Sequence, residues 1–145
     1  MSRNEEIAHS LTHGFGALLS VAALVAMVVF AAQHRDAWAI VACSIYGASM
    51  VLLYLSAALY HSLTHPRAKR VFLIIDHAMI YILIAGTYTP FTLVTLRGGW
   101  GWTLFGIIWG LAFAGVVFQS LFIGRLRILS TALYVVMGWF VIIAI

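Results

Sequence analysis

Charge is what this sequence most conspicuously lacks: Asp, Glu, Lys and Arg together make up 8% of its 145 residues, where a soluble globular domain carries about a quarter. A surface built from so few charged groups cannot be wetted over a whole domain, so the soluble classes are excluded. Cysteine is nearly absent too. The single Cys43 lies inside an apolar run, which removes any disulfide framework and any cysteine-based metal motif. Low-complexity tracts, phosphate-cradling glycine loops and nucleic-acid motifs are missing as well. The formal charge of +4 therefore belongs to basic turns at a membrane surface, and nucleic acid is not an expected partner.

In place of charge stands hydrophobicity, at 64% of residues and a mean hydropathy of +1.07. A bilayer core of about 30 Å takes about 20 apolar residues of helix. Five segments meet that length, roughly 8–32, 38–60, 71–96, 101–123 and 128–145. The predicted fold is an all-α membrane protein: an antiparallel transmembrane helix bundle forming a single transmembrane helical domain over 1–145. The first segment is not a cleaved leader, because Glu5 and Glu6 stand where a basic region belongs and the run Phe15 to Ala32 is too long.

If spans alternate, six of the eight basic residues fall on the side of the N-terminus: Arg3, then Arg67, Lys69 and Arg70, then Arg125 and Arg127. Arg35 and Arg97 fall on the other side. The positive-inside rule then predicts a cytoplasmic N-terminus in a plasma membrane, with Trp38, Trp100 and Trp102 at the opposite interface. Membrane lipids are the expected surroundings and partners.

That alternation gathers the polar residues at one end. Glu6, His9 and His13 open the first span, His61 closes the second, and Asp76 and His77 open the third. Ionisable groups at such depth are costly unless paired, wetted or coordinated, and so mark a candidate site. Each also has a plainer reading. Glu6, His9 and His13, at spacings of three and four, share a helix face, which an acidic first turn followed by interfacial imidazoles would equally explain. His61 and Asp76 could be a hydrogen-bonded pair holding two helices together. His77 aligns with Tyr81 and Tyr88 as part of a polar packing stripe, and His65 beside Pro66 reads as a solvated turn residue. The stripe ending at His61 runs back through Ala57, Tyr54, Met50 and Gly47, and that leaving Asp76 runs through Ile80, Leu83 and Thr87. The short turn between them predicts that the two stripes face each other. Pro90, which removes a backbone donor from the third span, predicts a bend near Gly86–Pro90, with Thr87 and Thr89 hydrogen-bonded to strained carbonyls.

The segments EEIAHSLTHGFGA, LYHSLTHPRAKR and DHAMIYILIAGTYTPF, followed by RILSTALYVVMGW, resemble the hemolysin III family, the bacterial branch of the progestin and adipoQ receptor group. The resemblance extends over essentially the whole chain. It implies a fold of seven helices, of which five spans are present here, and a zinc site of hydrolase character near the cytoplasmic helix ends. On that pattern His61 is one zinc ligand, Asp76 holds the metal's water as the catalytic carboxylate, and two more histidines come from an H-x-x-x-H on the last helix. No histidine follows His77 in this sequence, so the chain reads as truncated and its zinc site as incomplete, with His9 or His13 as substitute partners. The family's serine one turn before the ligand histidine is Ala57 here. Ser56 points about 140° away from His61 and is poorly placed to orient it.

Zinc accepts neutral imidazole and carboxylate ligands and, in catalytic sites, keeps one position open. At headgroup depth the natural substrate is a lipid amide or ester. Three functions are consistent with these features: a zinc-dependent lipid hydrolase, a non-enzymatic membrane sensor or homeostasis protein with structural zinc, and the cytolytic pore that the family name implies.

Overall fold

A computed structural model describes residues 2–34, 36–122 and 127–144. Its helices are α1 (Arg3–Gln33), α2 (Ala37–Ser62), α3 (Pro66–Pro90), α4 (Gly99–Phe122) and α5 (Arg127–Trp139), with no strand among the described residues. The starts follow from local chemistry. Ser2 and Glu5 form a reciprocal capping box that satisfies orphan amides at the head of α1, so the helix begins well before residue 8 and carries Glu6 within it. The Asp36 side chain accepts from the Trp38 amide at 3.0 Å to start α2, and Pro66 occupies the first turn of α3, where its missing N–H costs nothing.

Four of these helices are long and apolar enough to cross a membrane: Arg3–Gln33, Ala37–Ser62, Pro66–Thr95 and Gly99–Phe122. The fifth segment differs from the expected span over 128–145. It is α-helical for 13 residues, about 20 Å of rise, and then tightens into a 3-10 segment over Phe140–Ala144. The Tyr88 hydroxyl meets the chain at that change of winding and donates to the Met137 and Gly138 carbonyls at 3.0 and 2.9 Å.

Consecutive helices are antiparallel, as the pairing of their residues shows. Along α1 and α2, Ser10 meets Ser62, Gly16 meets Tyr54 and Leu24 meets Gly47. Across α3 and α4, Tyr81 lies against Gly115 and Trp109 Nε1 donates to Thr89 Oγ1 at 3.1 Å. Small residues at these crossings let the backbones come close, which is how membrane helices gain contact where the hydrophobic effect offers little. The tightest core gathers Tyr81, Ala85 and Tyr88 of α3, Ile108 and Ala112 of α4 and Met137 of α5. Outward faces are apolar: Leu11, Phe15 and Leu18 on α1 are 69%, 63% and 71% exposed, as lipid-facing side chains are.

The winding of the chain changes immediately after Pro90. The α-helical ladder runs through Pro90 and passes into a π turn at Phe91–Thr95, closed by the Leu96 amide on the Phe91 carbonyl at 2.9 Å. Threonine hydroxyls cover the weakened region as expected. Thr87 donates to Ile84, Thr89 to Ala85 and Thr92 to Tyr88, at 2.6, 2.9 and 3.0 Å.

Candidate functional site

The capping box extends α1 far enough for Glu6, one turn inside its start, to reach two other helices. Glu6 Oε2 accepts from His61 Nδ1 at 2.9 Å, and its other oxygen accepts from Lys69 Nζ at 2.8 Å. A carboxylate can only accept from the imidazole, so His61 directs an Nδ1 proton at Glu6 and turns Nε2 away from it. Lys69, on the first turns of α3, also lies over the Tyr60 ring, 5.3 Å from its centroid. One carboxylate thereby ties α1, α2 and α3 together at a single level.

Two more imidazoles stand beside that tie. His9 and His13 of α1 lie 4.9 and 5.7 Å from the His61 ring, with interplanar angles of 24° and 4°. Potential ligand atoms of His9, His13 and His61 all fall within 4.8 Å of one another. Below them the Tyr54 ring sits 6.1 Å from His13. On the far flank Ser10 and Ser62 share a hydrogen bond of 2.6 Å, which pins the ends of α1 and α2 at the level of the cluster.

Asp76, half-buried on α3, stands one residue before His77. Its carboxylate is 3.7 Å from His77 Nδ1, but that nitrogen donates to the Leu73 carbonyl at 3.0 Å. His77 is drawn further toward α5 by its own carbonyl, which accepts from the Tyr134 hydroxyl at 3.0 Å. The His77 ring thus bonds within its own helix while its backbone carbonyl serves the α3–α5 contact.

The stripe ending at His61 turns to α1, whereas the sequence pattern had paired it with α3. Gly47 meets Leu24 and Tyr54 meets Gly16, while α2 presents Ser49 and Tyr46 to Gly86 of α3. The group orienting His61 is Glu6. Ser56, buried on another face, donates to the Leu53 carbonyl at 2.8 Å, in keeping with its angular offset from His61. Lys69, Ser10 and Ser62 are the site residues that the sequence did not single out. Lys69 could have been found from its depth, since it is the cation at the level of Glu6.

The donor set suits zinc. Zn–N bonds of about 2.0–2.1 Å in a tetrahedron place nitrogens about 3.3 Å apart, and the candidate ligand atoms lie within 4.8 Å of one another. The Glu6–His61 bond is the carboxylate–imidazole arrangement that fixes a ligand's tautomer and raises its basicity. The stacked rings must still turn from parallel to convergent.

Helices of this length and apolarity define an integral membrane protein of the all-α class. Residues 1–145 match the family described as haemolysin-III related, and the chain belongs to that family. It is 52% identical to Hemolysin-3 of Bacillus cereus over 141 residues, 97% of this chain and 64% of that protein. Against the Hemolysin-3 homolog of Bacillus subtilis (strain 168) the identity is 55%, covering 97% of this chain and 66% of the relative. A more distant similarity, 24% over 140 residues, is to the human Monocyte to macrophage differentiation factor, covering 93% of this chain and 58% of that protein. The chain thus spans just under two thirds of the length of the bacterial relatives. No solved structure matches it.

Proposed function

We propose that this chain carries the site of a zinc-dependent hydrolase acting on a lipid amide or ester at the cytoplasmic face of a bacterial plasma membrane. The carrying observation is the Glu6 carboxylate bound at once to His61 and Lys69, which fixes the orientation of the imidazole that closes α2. The concentration of basic residues on the side of the N-terminus, where spans alternate, supports a cytoplasmic orientation. Exposed Arg67 and Arg70 add attraction for anionic headgroups.

Zinc bound at His61 would supply Lewis acidity and an activated water. The protein's own residues do the rest. Glu6 holds the imidazole in one tautomer, Lys69 holds Glu6, and Asp76 moves the proton. With such a group bound, the Asp76 carboxylate would accept the proton of the attacking water and return it to the leaving amine or alkoxide as the C–N or C–O bond breaks. A second reading, a membrane sensor with structural metal, draws on the fact that the same Glu6 contacts join three helices.

The test is to assay metal content and cleavage of lipid amides and esters on the purified protein in micelles. Stoichiometric zinc, and turnover that falls at least about 100-fold in Asp76→Asn, are expected. Zinc without turnover selects the sensor reading. Turnover unchanged in Asp76→Asn removes Asp76 from the chemistry, and leakage of vesicles without bond cleavage favours the cytolytic activity for which the Bacillus relatives are named.

A further inference from the structure

We propose that Arg97, stacked on Trp38 and flanked by Trp102, seats the phosphodiester of one anionic phospholipid, in the leaflet at the opposite end of the bundle from His61. The seat is independent of metal binding and of hydrolysis. Trp38 lies at the start of α2 and His61 at its end, about 35 Å of helix apart. A hydrocarbon core is about 30 Å thick, so Trp38 stands at the far headgroup level. Arg97 follows the π turn at Phe91–Thr95 and leads into a closely fitted connection. Gly98 adopts φ 141°, a backbone conformation that glycine takes without a steric penalty. A Cβ at Gly101 would strike the Thr92 and Leu96 carbonyls, so the start of α4 is pressed against the π turn. That fit holds Arg97 where its side chain reaches α2.

The Arg97 guanidinium lies 5.1 Å from the centroid of the Trp38 ring. Trp102 meets the same ring edge-on, 5.5 Å away at 82°, and Phe105 backs Trp102 at 5.6 Å. Stacking covers a face of the guanidinium and leaves its in-plane fork of N–H donors free, the geometry that takes two phosphate oxygens at once. No side-chain carboxylate competes for that fork. The chain has four, all among the described residues and engaged elsewhere: Glu6 with His61 and Lys69, Asp76 beside His77, Glu5 in the cap of α1 and Asp36 on the Trp38 amide. Arg97 is exposed, and its charge therefore lacks an internal counterpart. A phospholipid carries its phosphate to this depth while its chains stay in hydrocarbon, whereas a soluble anion would have to leave water. The indole rings suit the same level, apolar in body and polar at one edge.

The test places the 145-residue chain in micelles of a neutral detergent and adds phosphatidylglycerol or phosphatidylcholine, each brominated near the top of its acyl chains. Quenching of tryptophan fluorescence is the readout. Half-quenching is expected at a mole fraction of phosphatidylglycerol at least about fivefold below that of phosphatidylcholine, the factor one basic residue contributes near anionic lipid. Arg97→Gln should abolish that preference, and Arg67→Gln, at the other end of the bundle, should keep it. Arg97→Lys, which loses fork and stack but keeps the charge, and Trp38→Leu, which loses the stack, should each remove most of it. Trp100 and Trp102 still report in the Trp38→Leu chain. Equal quenching of the unsubstituted chain by the two lipids would overturn the seat, and so would a preference that survives Arg97→Gln. A preference kept in full by Arg97→Lys and Trp38→Leu would overturn it as well, by assigning the effect to diffuse charge only. Relief of quenching by inorganic phosphate, but not by chloride at equal ionic strength, would assign the fork to a soluble anion and reject the lipid. Circular dichroism and monodisperse elution identify variants that fail to fold. If Trp38→Leu is one of them, Arg97→Lys decides alone.

Discussion

Adding one methyl group at Gly16 should separate the two helices that build the site, and Gly14 on the same helix provides the control. A Cβ at Gly16 would lie 2.7 Å from Tyr54 Cδ1, 2.9 Å from Cε1 and 3.2 Å from Cγ. Carbon atoms settle at about 3.5–4.0 Å, so the ring must retreat by about 1 Å. The clashing atoms include the root of the ring, so the displacement reaches the α2 backbone. At Gly14 an added Cβ meets nothing within 4 Å. Both alanines gain helix propensity, worth up to about 1 kcal/mol over glycine, whereas only the one at 16 suffers overpacking, about 1–3 kcal/mol. Propensity cancels in the comparison, so Gly16→Ala should be less stable than Gly14→Ala by about 1–3 kcal/mol. Reversible unfolding in mixed micelles, followed by circular dichroism, measures that difference. Because the Tyr54 ring neighbours His13, zinc affinity should fall in Gly16→Ala and hold in Gly14→Ala. Equal stability of the two variants would refute the close packing of α1 on α2. Restoration of both stability and affinity by Tyr54→Leu in the Gly16→Ala background would confirm its cause.

Tyr88→Phe removes the hydroxyl that donates to the Met137 and Gly138 carbonyls. Interhelical bonds of this kind contribute about 0.6–1.7 kcal/mol in membranes, so amide exchange over residues 137–142 should quicken while that at the α1–α2 contact is unchanged. Thr89→Val keeps the shape of a fully buried side chain but strands the Trp109 N–H that Thr89 accepts. A loss of about 1–3 kcal/mol is expected in the same unfolding assay. For topology, single cysteines at 67 and 97 in a Cys43→Ala background should label from opposite sides of the membrane, with 67 reached only after the cells are permeabilised. Labelling of 67 in intact cells would reverse the orientation.

Much of the architecture was legible one residue at a time. Apolar length alone marked the segments that became α1 to α4, because a helix must satisfy its own backbone in hydrocarbon. Sparse charge made Glu6, His9, His13, His61 and Asp76 visible, since a polar side chain at that depth is expensive. Pro90 predicted a bend near Gly86–Pro90, whereas the α-helix runs through Pro90 and its winding changes just after it, in the π turn at Phe91–Thr95. The reach of α5 was less legible, because hydropathy does not register the tightening at Phe140 that Tyr88 accompanies.

The partner of His61 was decided only by tertiary structure. Helical periodicity shows which residues share a face but not which neighbour that face meets, and α2 has a neighbour on either side. The short turn to α3 favoured Asp76 on grounds of proximity in sequence. The choice instead followed from close packing at Gly16 and Gly47, which brings α1 against the stripe through Tyr54. The α1 capping box then places Glu6 within reach of both His61 and Lys69. Composition and period thus determined that a polar site sits at one end of the bundle. Which carboxylate holds its histidine depended on the approach of two backbones, a property of pairs of helices that no single helix encodes.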